Sequence, residues 1–167
     1  MIEHKKAYLL IGGNVGNRLQ NLQKAAELIA ALCGPILASS SIYQTAAWGL
    51  TEQPDFLNQV LIVSTSLEPD VLMQTLLLIE EKIGRVRTVK FGPRTIDLDI
   101  LLINDLIINS PLLTIPHPAL PARRFALIPL TEIADELIHP ISKKTIAQLL
   151  TECHDALVVQ KYTEPTS

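Results

Sequence analysis

The chain is predicted to have an α+β fold. Two observations support this: short apolar runs typical of strands alternate with longer segments of helical periodicity, and the order strand–helix–strand occurs twice in succession. A length of 167 residues and a hydrophobic content of 48% are sufficient for an apolar core. We therefore expect residues 1–167 to form a single domain.

The first strand–helix–strand unit begins with the apolar run at residues 6–11, which indicates a buried strand. Apolar residues then recur at helical spacing over residues 17–33, and Gly34 and Pro35 end the predicted helix. A further strand is predicted over residues 36–45, because this segment is rich in Ser, Ile and Tyr.

The second unit consists of a strand over residues 56–66, a helix over residues 72–83 with Gly84 as its C′ residue, and a strand that starts at Asp97. Together the two units give the split βαβ pattern of a ferredoxin-like, mainly antiparallel sheet with helices packed on it. Shorter elements are also predicted: paired edge strands at residues 106–108 and 113–115, and one or two helices within residues 125–134 and 143–153.

Composition excludes several classes of protein. A mean hydropathy of +0.29 excludes disorder, and no apolar run reaches the ~18 residues of a membrane span. The net charge of −3 argues against a general nucleic-acid-binding protein. Cys33 and Cys153 lack metal-ligand spacing, so we expect reduced thiols and a cytoplasmic location.

The strongest chemical signal is the pair Asp97 and Asp99. In a strand these two side chains point to the same face, and Ile96, Leu98 and Ile100 point to the other. Two neighbouring carboxylates favour a hard divalent cation, and Mg²⁺ shared with substrate phosphates fits best. The alternative is a solvated pair at a strand edge with no ligand.

A cationic segment comes directly before this strand. Residues 82–94 contain five of the chain's 14 Lys and Arg residues and no acidic residue. A solvated loop is one explanation, but proximity to the carboxylate pair favours a site for a small anionic nucleotide with its metal ion.

Other candidate residues are ambiguous. Residues 12–17 follow a strand and open a helix, but they lack the spacing of a dinucleotide-binding motif or a P-loop. They form either a tight turn with Asn17 as helix cap or a part of the site. Glu80 is either a solvated helix residue or a part of the site. In the site it would order the arginines of the cationic segment or accept a hydrogen bond from an adenosine ribose. His117, held between two prolines near Arg123, is a candidate hydrogen-bond donor to a phosphate group.

Several motifs occur in a fixed order, and together they resemble the 6-hydroxymethyl-7,8-dihydropterin pyrophosphokinase family of folate biosynthesis over roughly residues 7–135. The motifs are Gly12-Gly13-Asn14, Ser41-Ile42-Tyr43-Gln44-Thr45, Gln53-Pro54-Asp55-Phe56-Leu57-Asn58, Gly84-Arg85-Val86-Arg87, Phe91-Gly92-Pro93-Arg94-Thr95-Ile96-Asp97-Leu98-Asp99 and Pro116-His117-Pro118. The resemblance implies a ferredoxin-like fold in α/β/α layers. It also implies transfer of the pyrophosphoryl group of ATP to the pterin hydroxymethyl group, with release of AMP.

The resemblance also implies roles for single residues. The residues implied to be catalytic are Arg85, Arg94, Asp97 and Asp99, with Asp97 and Asp99 binding two Mg²⁺ ions. Those implied to contact the nucleotide are Glu80, Arg87, Phe91, Ile100, Thr114, His117 and Arg123. Those implied to hold the pterin are Thr45, Ala46, Trp48, Phe56, Asn58 and Phe125, with the two phenylalanines on either side of the ring.

The sequence therefore predicts a cytoplasmic, monomeric, Mg²⁺-dependent enzyme that acts on ATP and a pterin, without nucleic-acid or membrane partners. One rival is a metal-dependent phosphohydrolase that uses Asp97 and Asp99. A second is a non-catalytic module that senses a nucleotide, although such a module would not need both carboxylates and the aromatic pair.

Overall fold

The computed structural model describes residues 3–46, 54–84 and 95–163. The elements up to the carboxylate strand are β1 (Lys5–Gly13), α1 (Arg18–Leu32), β2 (Ile36–Ser39), β3 (Tyr43–Thr45), β4 (Phe56–Thr65), α2 (Pro69–Ile83) and β5 (Asp97–Ile103). Those after it are β6 (Ile108–Asn109), β7 (Thr114–Ile115), α3 (Arg124–Ala134), α4 (Ile146–Glu152) and β8 (Val159–Lys161).

Over the described ranges, the main sheet contains six antiparallel strands in the order β5-β1-β4-β3-β8, and β2 pairs with β4 beside β3. Helix α1 leads from β1 across β4 to β2, and helix α2 leads from β4 across β1 to β5. This is the split βαβ topology, so the predicted ferredoxin-like fold is confirmed.

Helices cover both faces of the sheet. On one face α1 and α2 pack on alternate residues of the central strands, among them Leu9, Leu61 and Ile100. On the other face α3 and α4 pack on the intervening residues, such as Leu10 and Val60. The result is the α/β/α layering that the resemblance implied. Among the described residues, no helix is long and apolar enough to cross a membrane.

The ends of the two long helices follow the predicted signals. Asn17 caps α1, because its side chain accepts a hydrogen bond from the backbone N–H of Gln20 at 3.0 Å. Gly84 ends α2 with a φ of 99°, a left-handed conformation that glycine adopts without strain.

Two predictions about strands need correction. The single strand expected over residues 36–45 is two strands, because Ser40 interrupts the pairing and its Oγ accepts from the backbone N–H of Val60 at 2.9 Å. The strand β8 was not predicted at all, and it pairs with β3 at the edge of the sheet. The predicted edge strands do pair with each other, as β6 and β7, but each is only two residues long.

One irregularity lies in β5. Its register against β1 shifts between Tyr8 and Leu9, which leaves Leu101 as an extra residue in β5. As a result, both Leu101 and Leu102 pack against the helices α3 and α4.

Candidate active site

A cavity opens on the α3 side of the sheet, where the strands extend beyond the apolar core. Its walls come from four strands and from the start of α3. The lining residues are Leu10, Gly12, Thr45, Ala46, Phe56, Asn58, Asp97, Asp99, Arg123 and Phe125. All of these except Leu10 and Gly12 are site residues predicted from the sequence.

Strand register explains how distant residues meet in this cavity. Gly12 of β1 lies opposite Asp97 of β5 on one side and opposite Asn58 of β4 on the other. Directly opposed residues of antiparallel strands point to the same face. Asp97 and Asn58 are thus two strands apart, roughly 10 Å, with a residue that lacks a side chain between them. Gly12 forms the floor of the cavity.

The carboxylate pair has the predicted orientation. Asp97 and Asp99 line the cavity, whereas Leu98 between them is buried in the core formed with α1 and α2. Both aspartates are half-buried. Within the described ranges, no group of three or more His, Cys, Asp or Glu side chains could hold a metal ion. Two carboxylates that leave the remaining positions to phosphate oxygens and water fit Mg²⁺.

The opposite wall of the cavity is aromatic and amide-bearing. Phe56 begins β4 opposite Thr45 of β3, and Phe125 lies in the first turn of α3. Asn58 is only 4% exposed, and its Nδ2 donates to Oγ1 of Thr45 at 3.1 Å. This bond fixes the amide orientation, so the site offers two rings and a few fixed polar atoms to a flat ligand.

Helix α3, which carries Phe125, is hydrogen-bonded to β3 and to the residues just before it. The Glu132 carboxylate accepts from Oγ of Ser41 at 2.7 Å and also from the Tyr43 hydroxyl. Burial alone would raise the pKa of Glu132, but hydrogen bonds from Ser41 and Tyr43 and the charge of Lys161 outweigh it and lower that pKa. The carboxylate therefore stays ionised and holds the helix that carries Phe125.

Two basic residues, Arg123 and His117, lie on the side of the site near Asp97. The Cζ atom of Arg123 lies 5.7 Å from the centre of the Phe125 ring, which holds the guanidinium at the cavity wall. Burial lowers the pKa of His117, and so does the charge of Arg123, whereas the charge of Asp97 opposes both. The backbone N–H of His117 donates to the Leu101 carbonyl at 2.9 Å, so the extra residue of β5 anchors this segment.

Four of the predicted nucleotide residues that the structure describes lie outside the cavity lining: His117, which is near Arg123 and Asp97, and Ile100, Thr114 and Glu80. The side chain of Ile100 is buried among α1 and α2, so only its backbone is available to a nucleotide at that position. Thr114 is exposed in β7, next to β5. Glu80 is not a solvated helix residue: it is 3% exposed, and its Oε2 accepts from the backbone N–H of Leu98 at 2.8 Å.

Five predicted site residues, Trp48, Arg85, Arg87, Phe91 and Arg94, lie outside the described residues. Gly12, by contrast, was not among the single residues predicted for the site, and its segment, residues 12–17, was left open between a tight turn and a part of the site. A Cβ atom at this position would overlap Oδ1 of Asn58 and would lie 3.0 Å from the Leu57 carbonyl oxygen. Its signal in the sequence was the Gly12-Gly13 pair at the end of a strand, where the register with β4 could not be known.

These features define a ferredoxin-like α/β/α protein with a small-molecule site that joins an aromatic wall to a carboxylate pair. The model of one protein family, 7,8-dihydro-6-hydroxymethylpterin-pyrophosphokinase (HPPK), matches residues 8–135. The chain belongs to this family, and the resemblance seen in its sequence motifs is confirmed.

Proteins similar to this chain agree with that assignment. A 2-amino-4-hydroxy-6-hydroxymethyldihydropteridine pyrophosphokinase from Synechocystis is 45% identical over 143 residues, which cover 85% of this chain and 73% of the relative. Its counterpart from Aquifex aeolicus is 41% identical over 145 residues, covering 87% of this chain and 90% of the relative.

Among solved structures, wild-type Plasmodium falciparum HPPK-DHPS superposes with a TM-score of 0.73 at 17% sequence identity. The match covers 90% of this chain but only 45% of that protein, so this chain spans less than half of its length. At this level of identity the likeness supports the fold alone.

Proposed function

We propose that this chain transfers the pyrophosphoryl group of ATP to the hydroxymethyl group of 6-hydroxymethyl-7,8-dihydropterin and releases AMP, as its family does. The observation that carries the proposal is the shared floor at Gly12, with Asn58 on one side and Asp97 on the other. A flat ring bound at the Asn58 side would bring a substituent on its edge toward the carboxylate pair.

The pterin side of the reaction depends on shape and fixed hydrogen bonds. Phe56 and Phe125 bind the two faces of the ring, and Asn58, already oriented by Thr45, recognises its polar edge. Holding the ring in one orientation places the hydroxymethyl oxygen for attack and removes the entropic cost of alignment from the chemical step.

The phosphate side depends on charge. Asp97 and Asp99 would hold Mg²⁺. When bound, the metal would neutralise negative charge on the transferring phosphates and would lower the pKa of the attacking hydroxyl group. Arg123 lines the same cavity, and His117 is close enough to Arg123 and Asp97 for their charges to affect its pKa; both would bind phosphate oxygens. For Arg85, Arg87 and Arg94, and for Glu80, Ile100 and Thr114 near the nucleotide, the proposal rests on the family resemblance.

The identity of the nucleotide product tests the reaction. Incubation with ATP, Mg²⁺ and 6-hydroxymethyl-7,8-dihydropterin should yield AMP and a pterin that has gained two phosphates. Formation of ADP and a pterin monophosphate would contradict pyrophosphoryl transfer while leaving the nucleotide site intact.

Omission of one component separates the rival functions. A phosphohydrolase would release phosphate from ATP without any pterin, and a sensor module would bind ATP without turnover. We expect neither: AMP should form only when the pterin and Mg²⁺ are both present, and chelation of the metal should stop the reaction.

We further propose that the enzyme acts as a monomeric single domain in the cytoplasm. Support comes from the two cysteines, which are free thiols, with Cys33 buried. Burial raises the pKa of the Cys33 thiol to about 11, so this cysteine is an unreactive core residue. Sedimentation analysis of the purified chain would test the monomeric state.

A further inference from the structure

Glu80 occupies an unusual position for an acidic residue. It lies in the last turn of α2, four residues after Leu76 on the stripe of that helix that faces the core, and only 3% of it is exposed. The next residue, Glu81, is exposed. Carboxyl groups are rarely buried unless they have a partner.

One partner of Glu80 is in the strand that carries the carboxylate pair. Oε2 of Glu80 accepts from the backbone N–H of Leu98 at 2.8 Å, and Leu98 lies between Asp97 and Asp99. A helix residue is thus bonded to the middle of the Asp-Leu-Asp segment across 18 positions of sequence.

Among the described residues, no strand pairs with the edge of β5 where this bond is made. β5 is at the end of the sheet, with β1 on its inner edge, where Gly12 and Leu10 lie opposite Asp97 and Asp99. Backbone groups of successive residues in an antiparallel strand point alternately to its two edges. The Leu98 amide, which is bonded to Glu80, points to the outer edge, where the described part of the chain offers this buried N–H no strand partner.

The hydrogen bond to Glu80 is made close to the beginning of β5. β5 begins at Asp97, so Leu98 is its second residue and lies where a strand frays first. Ile96 and Leu98 bury their side chains against α1 and α2, which selects the face of the strand. The hydrogen bond to Glu80 restrains the outer edge of the backbone, and pairing with β1 restrains the inner edge.

We propose that Glu80 is a positioning residue for the carboxylate pair, and that it acts through the Leu98 amide rather than through contact with the nucleotide. By restraining the backbone between Asp97 and Asp99, it keeps both side chains directed at one cation. The inference rests on the proposed role of Asp97 and Asp99 as ligands of a divalent cation. Groups that orient metal ligands commonly change metal affinity 10–100-fold when they are removed, as a rough guide.

Two variants separate the effect of the length of the Glu80 side chain from the effect of its negative charge. Glu80→Gln keeps an oxygen acceptor at the same distance and loses the charge. Glu80→Asp keeps the charge but withdraws the acceptor by about 1.5 Å, one carbon–carbon bond. If reach to the Leu98 amide is what matters, the glutamine variant should behave like the unaltered protein and the aspartate variant should not. Glu81→Gln and Glu81→Asp, at the exposed neighbouring position, are the matched controls.

The first measurement is the affinity for Mn²⁺ alone, followed by electron paramagnetic resonance on the folded, nucleotide-free protein. We expect Glu80→Asp to weaken Mn²⁺ binding about tenfold or more, and Glu80→Gln to stay within about threefold. The second is hydrogen exchange at the Leu98 amide, which should lose protection in the aspartate variant and keep it in the glutamine variant.

The outcomes distinguish the positioning role of Glu80 from the existence of the cation site at Asp97 and Asp99. Equal Mn²⁺ affinity in all Glu80 variants, with binding still abolished by Asp97→Ala, would overturn the positioning role and leave the proposed function standing. Weakening by Glu80→Gln but not by Glu80→Asp would assign the effect to charge and also overturn it. Failure of the unaltered protein to bind Mn²⁺ through Asp97 and Asp99, both alone and with a non-hydrolysable ATP analogue, would instead remove the cation site itself.

Discussion

The two faces of the sheet differ in how completely helices cover them. On the first face, α1 and α2 cover the strands from Ala7 to Ile11, and the core between helices and sheet is apolar except for acids such as Glu80 at its margin. On the second face, α3 and α4 cover the strands only as far as Leu10 and Val60. Beyond that point the same strands present Gly12, Asn58 and the aspartates to the cavity.

This difference shows that the site is a region of the sheet from which the helical layer is absent. The strands continue in register past the core, so they hold polar side chains as rigidly as they hold apolar ones. The closed face should therefore govern stability and the partly open face should govern activity, and mutations on either face can test that division.

The largest effect is expected for the carboxylates on the open face. Asp97→Ala or Asp99→Ala should reduce turnover by several orders of magnitude, because loss of one ligand displaces the metal relative to the triphosphate. The free energy of unfolding should change little, since removal of one of two like charges relieves repulsion. Steady-state kinetics and thermal unfolding measure the two quantities.

The control for the carboxylates is Asp105→Ala, which alters an exposed acid just after the same strand. It should leave turnover unchanged. Near-normal activity of both Asp97→Ala and Asp99→Ala at saturating Mg²⁺ would refute their role as metal ligands.

Leu9→Ala tests the closed face. Leu9 is fully buried under α1 and α2, so its truncation should lower the free energy of unfolding by about 2–5 kcal/mol. The affinity of the remaining folded protein for the pterin should stay the same. Urea denaturation gives the first quantity, and Leu37→Ala, at a residue that is 53% exposed, should cost much less. A weakened pterin site in Leu9→Ala would show that the two faces are coupled.

Phe56→Ala and Phe125→Ala test the aromatic wall. Each should weaken pterin binding by roughly 1–3 kcal/mol, through lost burial and lost stacking. ATP binding should barely change, and it serves as the internal control in isothermal titration. Equal losses for both ligands would identify these rings as core residues and place the pterin elsewhere.

A single methyl group tests the floor of the cavity. In Gly12→Ala the new Cβ would displace the Asn58 side chain from its bond to Thr45, so pterin affinity should fall about tenfold, or ~1.4 kcal/mol. Fluorescence titration of a pterin would measure the change. Unaltered affinity would show that Asn58 moves aside at no cost and that its orientation is unimportant.

The smallest effect is expected far from the site, at the buried residue His139. Burial lowers its pKa, and its Nδ1 accepts from the backbone N–H groups of Ile141 and Ser142 at 3.3 and 3.2 Å. The unfolded chain therefore binds a proton more readily than the folded one. The stability that the neutral His139 side chain contributes is therefore fully present above pH 6.5, the ordinary pKa of histidine, and it declines as the pH falls below that value.

His139→Asn retains a side-chain acceptor for such a turn and removes the titrating group. Denaturation between pH 7 and pH 5 should show a shallower loss of stability in this variant than in the unaltered protein. An unchanged slope would assign the loss to other groups, such as His117, whose pKa is lowered as well.

Much of the fold could be predicted because its main elements carry local signals. Helical spacing identified α1 and α2, and Gly84 marked the end of α2. The strand β8 could not be predicted in the same way: it has only three residues, and its partner β3 lies more than 100 residues earlier. Pairing of this kind depends on long-range packing, which leaves no periodic pattern.

The site shows the same division. The common face of Asp97 and Asp99 follows from the period of a strand, and the structure confirms it. The role of Gly12 depends on the register of three strands, which no local pattern contains. The burial of Glu80 had a signal that was missed, because this acid falls on the apolar stripe four residues after Leu76.

The extra residue in β5 has a consequence for the lengths that this strand can tolerate. Before Leu101 the odd-numbered residues face the cavity, and after it Leu102 faces the same side and Ile103 the other. The strand therefore combines two side-chain phases, one for the carboxylates and one for the core. Substitutions leave these phases intact, and deletion of the extra residue Leu101 would restore regular pairing with β1 while each half keeps its face. Insertion of one more residue after Asp99 would instead force one half to turn over, so insertions should be tolerated far less well in this strand than changes of residue type.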